Sequence, residues 1–272
     1  MMTSAFWPLA ASLGAVMALF AVLWLVSLRL RDVGVVDIIW GPGFALIAWL
    51  EWLWATPSHV GATLLLVAVT LWAARLGAHL YARHRLSGRE DARYAAMRAA
   101  DPDAFPRRSF LKVFVLQAVI LWALALPIHL AMLGSAPGPA GVLAMLGLAL
   151  FAIGFALEAV ADFALLNFRR DPSNRGRLLT SGVFAWSRHP NYFGESLLWI
   201  GLGLIAWDAS GQIWVLLGPA ALIGLLLKVS GIPLLEAHLD ATRPDFAAYK
   251  ARTSAFLPWP PRRVADRPAK PQ

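Results

Sequence analysis

Residues 174–199 read NRGRLLTSGVFAWSRHPNYFGESLLW. The stretch passes from a basic loop, through Ser187, Arg188, His189, Pro190 and Asn191, directly into an apolar helix. Proline is tolerated in the first turn of a helix because its missing N–H has no intrahelical partner there, so Pro190 marks the start. That turn offers backbone N–H groups beside a cation, an imidazole and a carboxamide, which suits a phosphate or another anion. One turn further on, Glu195 enters a segment apolar enough for a membrane. A basic loop at a membrane boundary is ordinary topology, but topology does not require His189, Asn191, Tyr192 or Glu195.

The rest of the chain supplies the context. Apolar residues make up 59% of it, with 13 Trp and 18 Pro, and the mean hydropathy is +0.61. This is the composition of an all-α, polytopic membrane protein. The absence of cysteine excludes disulfides, thiolate metal ligands and thiol catalysis. No Gly-rich dinucleotide fingerprint, Walker sequence or metal-ligand spacing occurs, and the six histidines are scattered, so no metal site is expected. Met1–Leu28 lacks the basic start and small-residue cleavage site of a signal peptide and is read as a retained helix.

A spanning helix needs about 20 mostly apolar residues. Seven are predicted: Phe6–Leu28, Val33–Trp54, Val60–Tyr81, Phe110–Leu133, Ala140–Phe168, Tyr192–Ala206 and Ile213–Leu235. The sixth is short, and Ser230, Gly231 and Pro233 interrupt the seventh. The connections Ala55–His59, Gly134–Pro139 and Trp207–Gln212 contain no Lys or Arg. Of the 24 Lys and Arg, all but Arg75 and Lys228 fall in the alternate connections near Arg29–Asp32, Arg83–Lys112 (Lys112 at the edge of the fourth helix) and Arg169–Arg188, and in the C-terminal tail. By the positive-inside rule this places the N-terminus outside and the C-terminus in the cytoplasm. The same placement accounts for the net charge of +8 without nucleic acid. Residues 1–264 form one membrane domain, and the polar, Pro-rich 265–272 is expected to be disordered. No internal repeat suggests a transporter, and no obligate protein partner is evident.

Charges within a bilayer cost about 2.5–3.5 kcal/mol each on insertion scales. Asp37, Arg75, Glu158, Asp162, Glu195 and Lys228 gather in the cytoplasmic halves of five predicted helices, which points to a polar cavity open to the cytoplasm. Glu158 and Asp162, four apart, share a helical face that Arg169 continues. Glu51 lies near the outer interface, within snorkelling reach of it. Within the polar run 88–94, the reading as a solvated loop stands beside one in which it covers the cavity.

With these residues in place, the chain resembles the steroid 5-alpha-reductase-like membrane proteins, in particular their DUF1295 branch. The resemblance rests on Ser187-Arg-His-Pro-Asn-Tyr-Phe-Gly-Glu195, Gly88-Arg-Glu-Asp-Ala-Arg-Tyr94, Val36-Asp-Ile-Ile-Trp-Gly41 and Ser254-Ala-Phe-Leu-Pro-Trp259. It implies a reductase that holds NADPH in a cytoplasm-facing cavity and reduces an activated carbon–carbon double bond of a lipophilic substrate drawn from the membrane. It places Asp162, Arg169 and Asn191 at NADPH, Glu195 near the nicotinamide, and Asp37 at a substrate-facing carboxylate. Asp37 and Glu195 are thus the catalytic candidates. The wider cofactor-binding set is Arg75, Asn167, Arg170, Asn174, Arg177, Arg188, His189, Tyr192 and Lys228. Leu71, Trp72, Ala73 and Ala74 precede Arg75 where steroid enzymes carry a tyrosine, which tells against a 3-oxo steroid. Two alternatives remain: an S-adenosylmethionine-dependent membrane methyltransferase of the isoprenylcysteine carboxyl type, and a non-enzymatic lipid-binding protein. The methyltransferases carry paired glutamates where this chain has Glu236 alone.

Overall fold

The computed structural model describes residues 2–88 and 90–262, so Arg89 and the 265–272 tail lie outside the described residues. Among the described residues there are helices and no strands: α1 Met2–Leu30, α2 Val35–Ile38, α3 Trp40–Ala55, α4 Val60–Ser87, α5 Ala92–Ala100, α6 Phe105–Ser109, α7 Leu116–Leu124, α8 Leu126–Gly134, α9 Val142–Arg170, α10 Pro190–Ser210, α11 Leu217–Lys228, α12 Ile232–Thr242 and α13 Phe246–Arg252.

Four stretches are long and apolar enough to cross a membrane: Phe6–Leu30, Val60–Ser87, Val142–Arg170 and Ile213–Thr242. A fifth is the pair Phe105–Leu124 and Leu126–Gly134, bent by 50°. The chain is therefore a multi-pass, all-helical membrane protein. The break at Ala125 precedes Pro127, whose ring and missing N–H exclude it from a helix interior. The region expected as a second span is α2 followed by the 16-residue α3, short of the length a straight span needs. The predicted seventh span is interrupted at 229–231, and α12 begins again with Pro233 in its first turn. Lys228 is thus the last residue of α11, where a cation meets the carbonyl end of a helix, and does not lie inside a helix as expected.

The described residues form two compact units, one within 2–152 with 198–222 and the other within 153–197 with 223–262. In the first, Phe44, Trp72 and Trp199 form a buried aromatic core with ring centroids 5.0–5.7 Å apart. The backbone of Gly201 approaches that of Gly147 and Phe151, and a Cβ on Gly201 would sit 2.5 Å from the Gly147 carbonyl oxygen. Only glycine permits such contact.

The three connections without Lys or Arg come together in this unit. The Val60 N–H donates to the Gly138 carbonyl at 3.0 Å, and the Gly141 N–H donates to Asp208 at 2.8 Å. Near them, Glu51 does not snorkel. It is 1% exposed and meets His129 Nδ1 at 2.7 Å. His129 Nε2 donates to the Trp122 carbonyl at 2.9 Å, in the last turn of α7, where that carbonyl also accepts from the Ala125 N–H at 3.2 Å. A carboxyl with a partner within reach has no need of the interface.

Candidate functional site

In the second unit the site is built on α9 and the start of α10. Gly154, Glu158 and Asp162 stand one turn apart on one face of α9. A Cβ on Gly194 would fall 2.7 Å from the Glu158 nitrogen and 2.8 Å from the Gly154 carbonyl oxygen, so α10 lies directly on that face. The contact buries Glu158 and Asp162, which are 2% and 4% exposed. Asn191, one turn before Gly194, donates from Nδ2 to Asp162 Oδ1 at 3.2 Å.

The loop entering α10 is held by residues from the C-terminal part of the chain. The Arg188 guanidinium donates to Glu236 from Nε at 2.9 Å and Nη2 at 3.2 Å. Its Nη1 donates to the Thr253 carbonyl at 2.6 Å. His189 Nε2 donates to the same carboxylate at 2.9 Å, and the imidazole stacks on Tyr192 with centroids 5.5 Å apart. Burial holds His189 below its ordinary value, outweighing the nearby Glu236 carboxylate. The Arg188 N–H donates to the Ser254 carbonyl at 2.8 Å, Ser187 Oγ to the Phe256 carbonyl at 2.8 Å, and the Trp259 N–H to the Trp186 carbonyl at 2.9 Å. Two of the quoted motifs, 187–195 and 254–259, therefore touch through their backbones.

The remaining candidates of this unit divide by position. Asn174 Nδ2 donates to the Phe168 carbonyl at 3.1 Å, which closes the end of α9. Asn167, Arg169, Arg170 and Arg177 are exposed at that end and in the loop beyond it, and Arg170 contacts Asn167 at 3.5 Å. Glu195 is half-buried and Lys228 exposed. Asp162, Asn191, His189, Tyr192 and Arg188 are thus bound into direct contacts, while Arg169, Arg170 and Arg177 are exposed.

Asp37 and Arg75 belong to the first unit. Asp37 lies within the one-turn α2 with its side chain 36% exposed, 3.9 Å from Arg83 Nη2. Here the motif containing Asp37 meets the 88–94 run. Glu90 Oε1 accepts from the Val33 N–H at 3.0 Å and pairs with Arg98 at 2.8 Å. Burial and then the negative charge of Asp37 push the Tyr94 hydroxyl up to about 12. Tyr94 and Trp40 both hydrogen-bond Gln117. Glu90 and Tyr94 are thus packed onto the Asp37 segment, while Gly88, Asp91, Ala92 and Arg93 are exposed.

Sequence reasoning placed none of Glu236, Glu90 and Tyr94 among the site candidates. Glu236 had a signal: it directly follows the predicted seventh span, one turn past a Gly-Ile-Pro break. Tyr94 had none, because its role depends on the packing of a loop.

Fold and site together define a helical membrane protein in which a buried carboxylate meets a half-buried carboxamide at the start of the helix that a basic loop enters. The chain belongs to the family described as protein of unknown function (DUF1295), whose model matches residues 23–253. It is 27% identical to Uncharacterized protein C594.04c of Schizosaccharomyces pombe, over 87% of this chain and 76% of that one. It is 30% identical to the 3-oxo-5-alpha-steroid 4-dehydrogenase 1 of Mus musculus over 28% of this chain and 30% of that enzyme. A Probable O-methyltransferase ustE of Ustilaginoidea virens is 36% identical over 21% of this chain and 20% of its own. Both named enzymes are matched over less than a third of their length. No solved structure matches.

Proposed function

We propose that this chain is an NADPH-dependent reductase of an activated C=C bond in a lipophilic enone or enoyl substrate. The observation that carries the reading is the contact of the buried Asp162 with Asn191 where a basic loop enters α10, in a chain with segment similarity to a steroid dehydrogenase. Asn191 and Glu195 would face the nicotinamide end, and the exposed Arg169, Arg170 and Arg177 would hold phosphates, since guanidinium forks match them. NADPH, when bound, supplies the hydride. Arg188 is placed differently from the expectation of a direct phosphate ligand: with its donors on Glu236 and Thr253, it supports the loop instead.

Negative charge arising on the substrate's conjugated oxygen requires a positioned donor. Asp37 keeps that role in this reading on the family resemblance alone, and Tyr94, its hydroxyl protonated at neutral pH, is a second candidate donor within the same unit as Asp37. Seven membrane passes with the cofactor side in the cytoplasm complete the reading.

Segment similarity to an O-methyltransferase supports an S-adenosylmethionine-dependent alternative. Purified chain titrated in parallel with NADPH, NADH and S-adenosylmethionine decides between the readings. NADPH binding with at least tenfold preference over NADH is expected. Binding of S-adenosylmethionine alone would replace the reductase with the methyltransferase.

A further inference from the structure

Beyond the cofactor reading, a cavity of about 430 Å³ lies where the C-terminal segment folds back on the 186–188 loop. Arg188, Lys250, Arg252, Arg262 and Trp259 line it, with the backbone of residues 253–255. Its size is within the range of small-molecule sites, about 300–1,000 Å³. Four cations face one concavity. Arg188 is balanced by Glu236 and Lys250 by Asp240, while Arg252 and Arg262 are exposed and give the cavity a positive surplus. The Arg262 N–H donates to the Arg252 carbonyl at 2.8 Å, which holds the two side chains' backbones together across the cavity.

The surroundings are apolar and outward-facing. Trp186 is 49% exposed, Leu257 62% and Trp259 68%. The segment follows within a few residues of the apolar stretch Ile213–Thr242, so it emerges at a membrane surface. Indole rings favour the headgroup level of a bilayer, and arginines there attract anionic phosphates. A soluble nucleotide would satisfy the arginines and leave Leu257 and both tryptophans in water. A phospholipid headgroup satisfies the arginines while its glycerol and upper acyl region cover the apolar side chains.

We infer that this cavity binds the phosphodiester headgroup of an anionic membrane phospholipid and so fastens the C-terminal segment, and the loop it supports, to the bilayer. The test uses the full chain in neutral detergent, titrated with short-chain phosphatidylglycerol or phosphatidylcholine and read by native mass spectrometry. Phosphatidylglycerol should bind at least tenfold more tightly. Arg252→Ala with Arg262→Ala should weaken it by about tenfold or more and leave phosphatidylcholine unchanged. Adenosine 2′,5′-bisphosphate should not displace it. Equal affinity for the two lipids, or no response to the double substitution, overturns the inference, and displacement by the bisphosphate assigns the cavity to a soluble nucleotide. NADPH titrated into the same variant separates the two readings: its binding should be retained, and a wild-type chain that ignores NADPH leaves the lipid result intact.

Discussion

Glu236 accepts hydrogen bonds from both Arg188 and His189, so its removal leaves two donors in a nearly closed site. Glu236→Ala should cost about 1.5–3 kcal/mol, the scale of a hydrogen bond to a charged group. The check is the thermal midpoint of the detergent-purified chain, and an unchanged midpoint would mean that Arg188 finds another anchor. His189 gives a second prediction. Its folded value is held below 6.5 by burial, so the unfolded chain binds more protons as pH falls. Its contribution to stability is present above 6.5 and is lost as pH drops below that value through the depressed one. Thermal midpoints from about pH 5 to 7.5 should decline toward acid, and less steeply for His189→Gln. At Glu51, alanine leaves His129 Nδ1 unpartnered and should destabilise by about 1–3 kcal/mol. Glutamine keeps a polar partner there and should lose distinctly less. Equal losses would show that side-chain volume, not the hydrogen bond, is what α3 requires. These residues were poorly legible in the sequence, since each owes its role to a partner at least 47 positions away.

At the scale of elements, more could be read in advance. Pro190 does begin a helix, and the Ser230–Pro233 interruption and the long α1, α4 and α9 follow the apolar pattern. The division of the second predicted span into α2 and α3, and the π-helical turn at Phe110–Val115, leave no mark in periodicity. The register of α10 on α9 is set by Gly194. Alanine there would press a methyl group against the α9 backbone, which has no room to withdraw, and overpacking of this kind costs about 1–3 kcal/mol. Gly194→Ala should therefore lower the thermal midpoint and, by shifting Asn191 off Asp162, weaken nucleotide binding. A stable variant that binds normally would show that the two helices can separate without loss. Glycine content alone did not single out Gly194 from its 20 counterparts; the packed partner did.

For the whole molecule, the charge alternation was the most informative pattern, because membrane insertion acts on connections before any tertiary contact forms. The three connections free of Lys and Arg meet in one unit, linked by Val60 to Gly138 and Gly141 to Asp208. Reporters fused after Gly134 and after Ser173 should read as external and cytoplasmic respectively; the same side for both would remove the seven-pass scheme. The backbone pairing of 186–188 with 254–259 bears on synthesis as well. Ser187 waits for carbonyls 68 and 69 positions later in the chain, so a ribosome has already delivered the apolar stretches up to Thr242 before this loop can close. Insertion of those helices and closure of the loop are thereby separate in time: a chain stopped at Arg252 would carry the helices and lack the carbonyls that fasten Ser187.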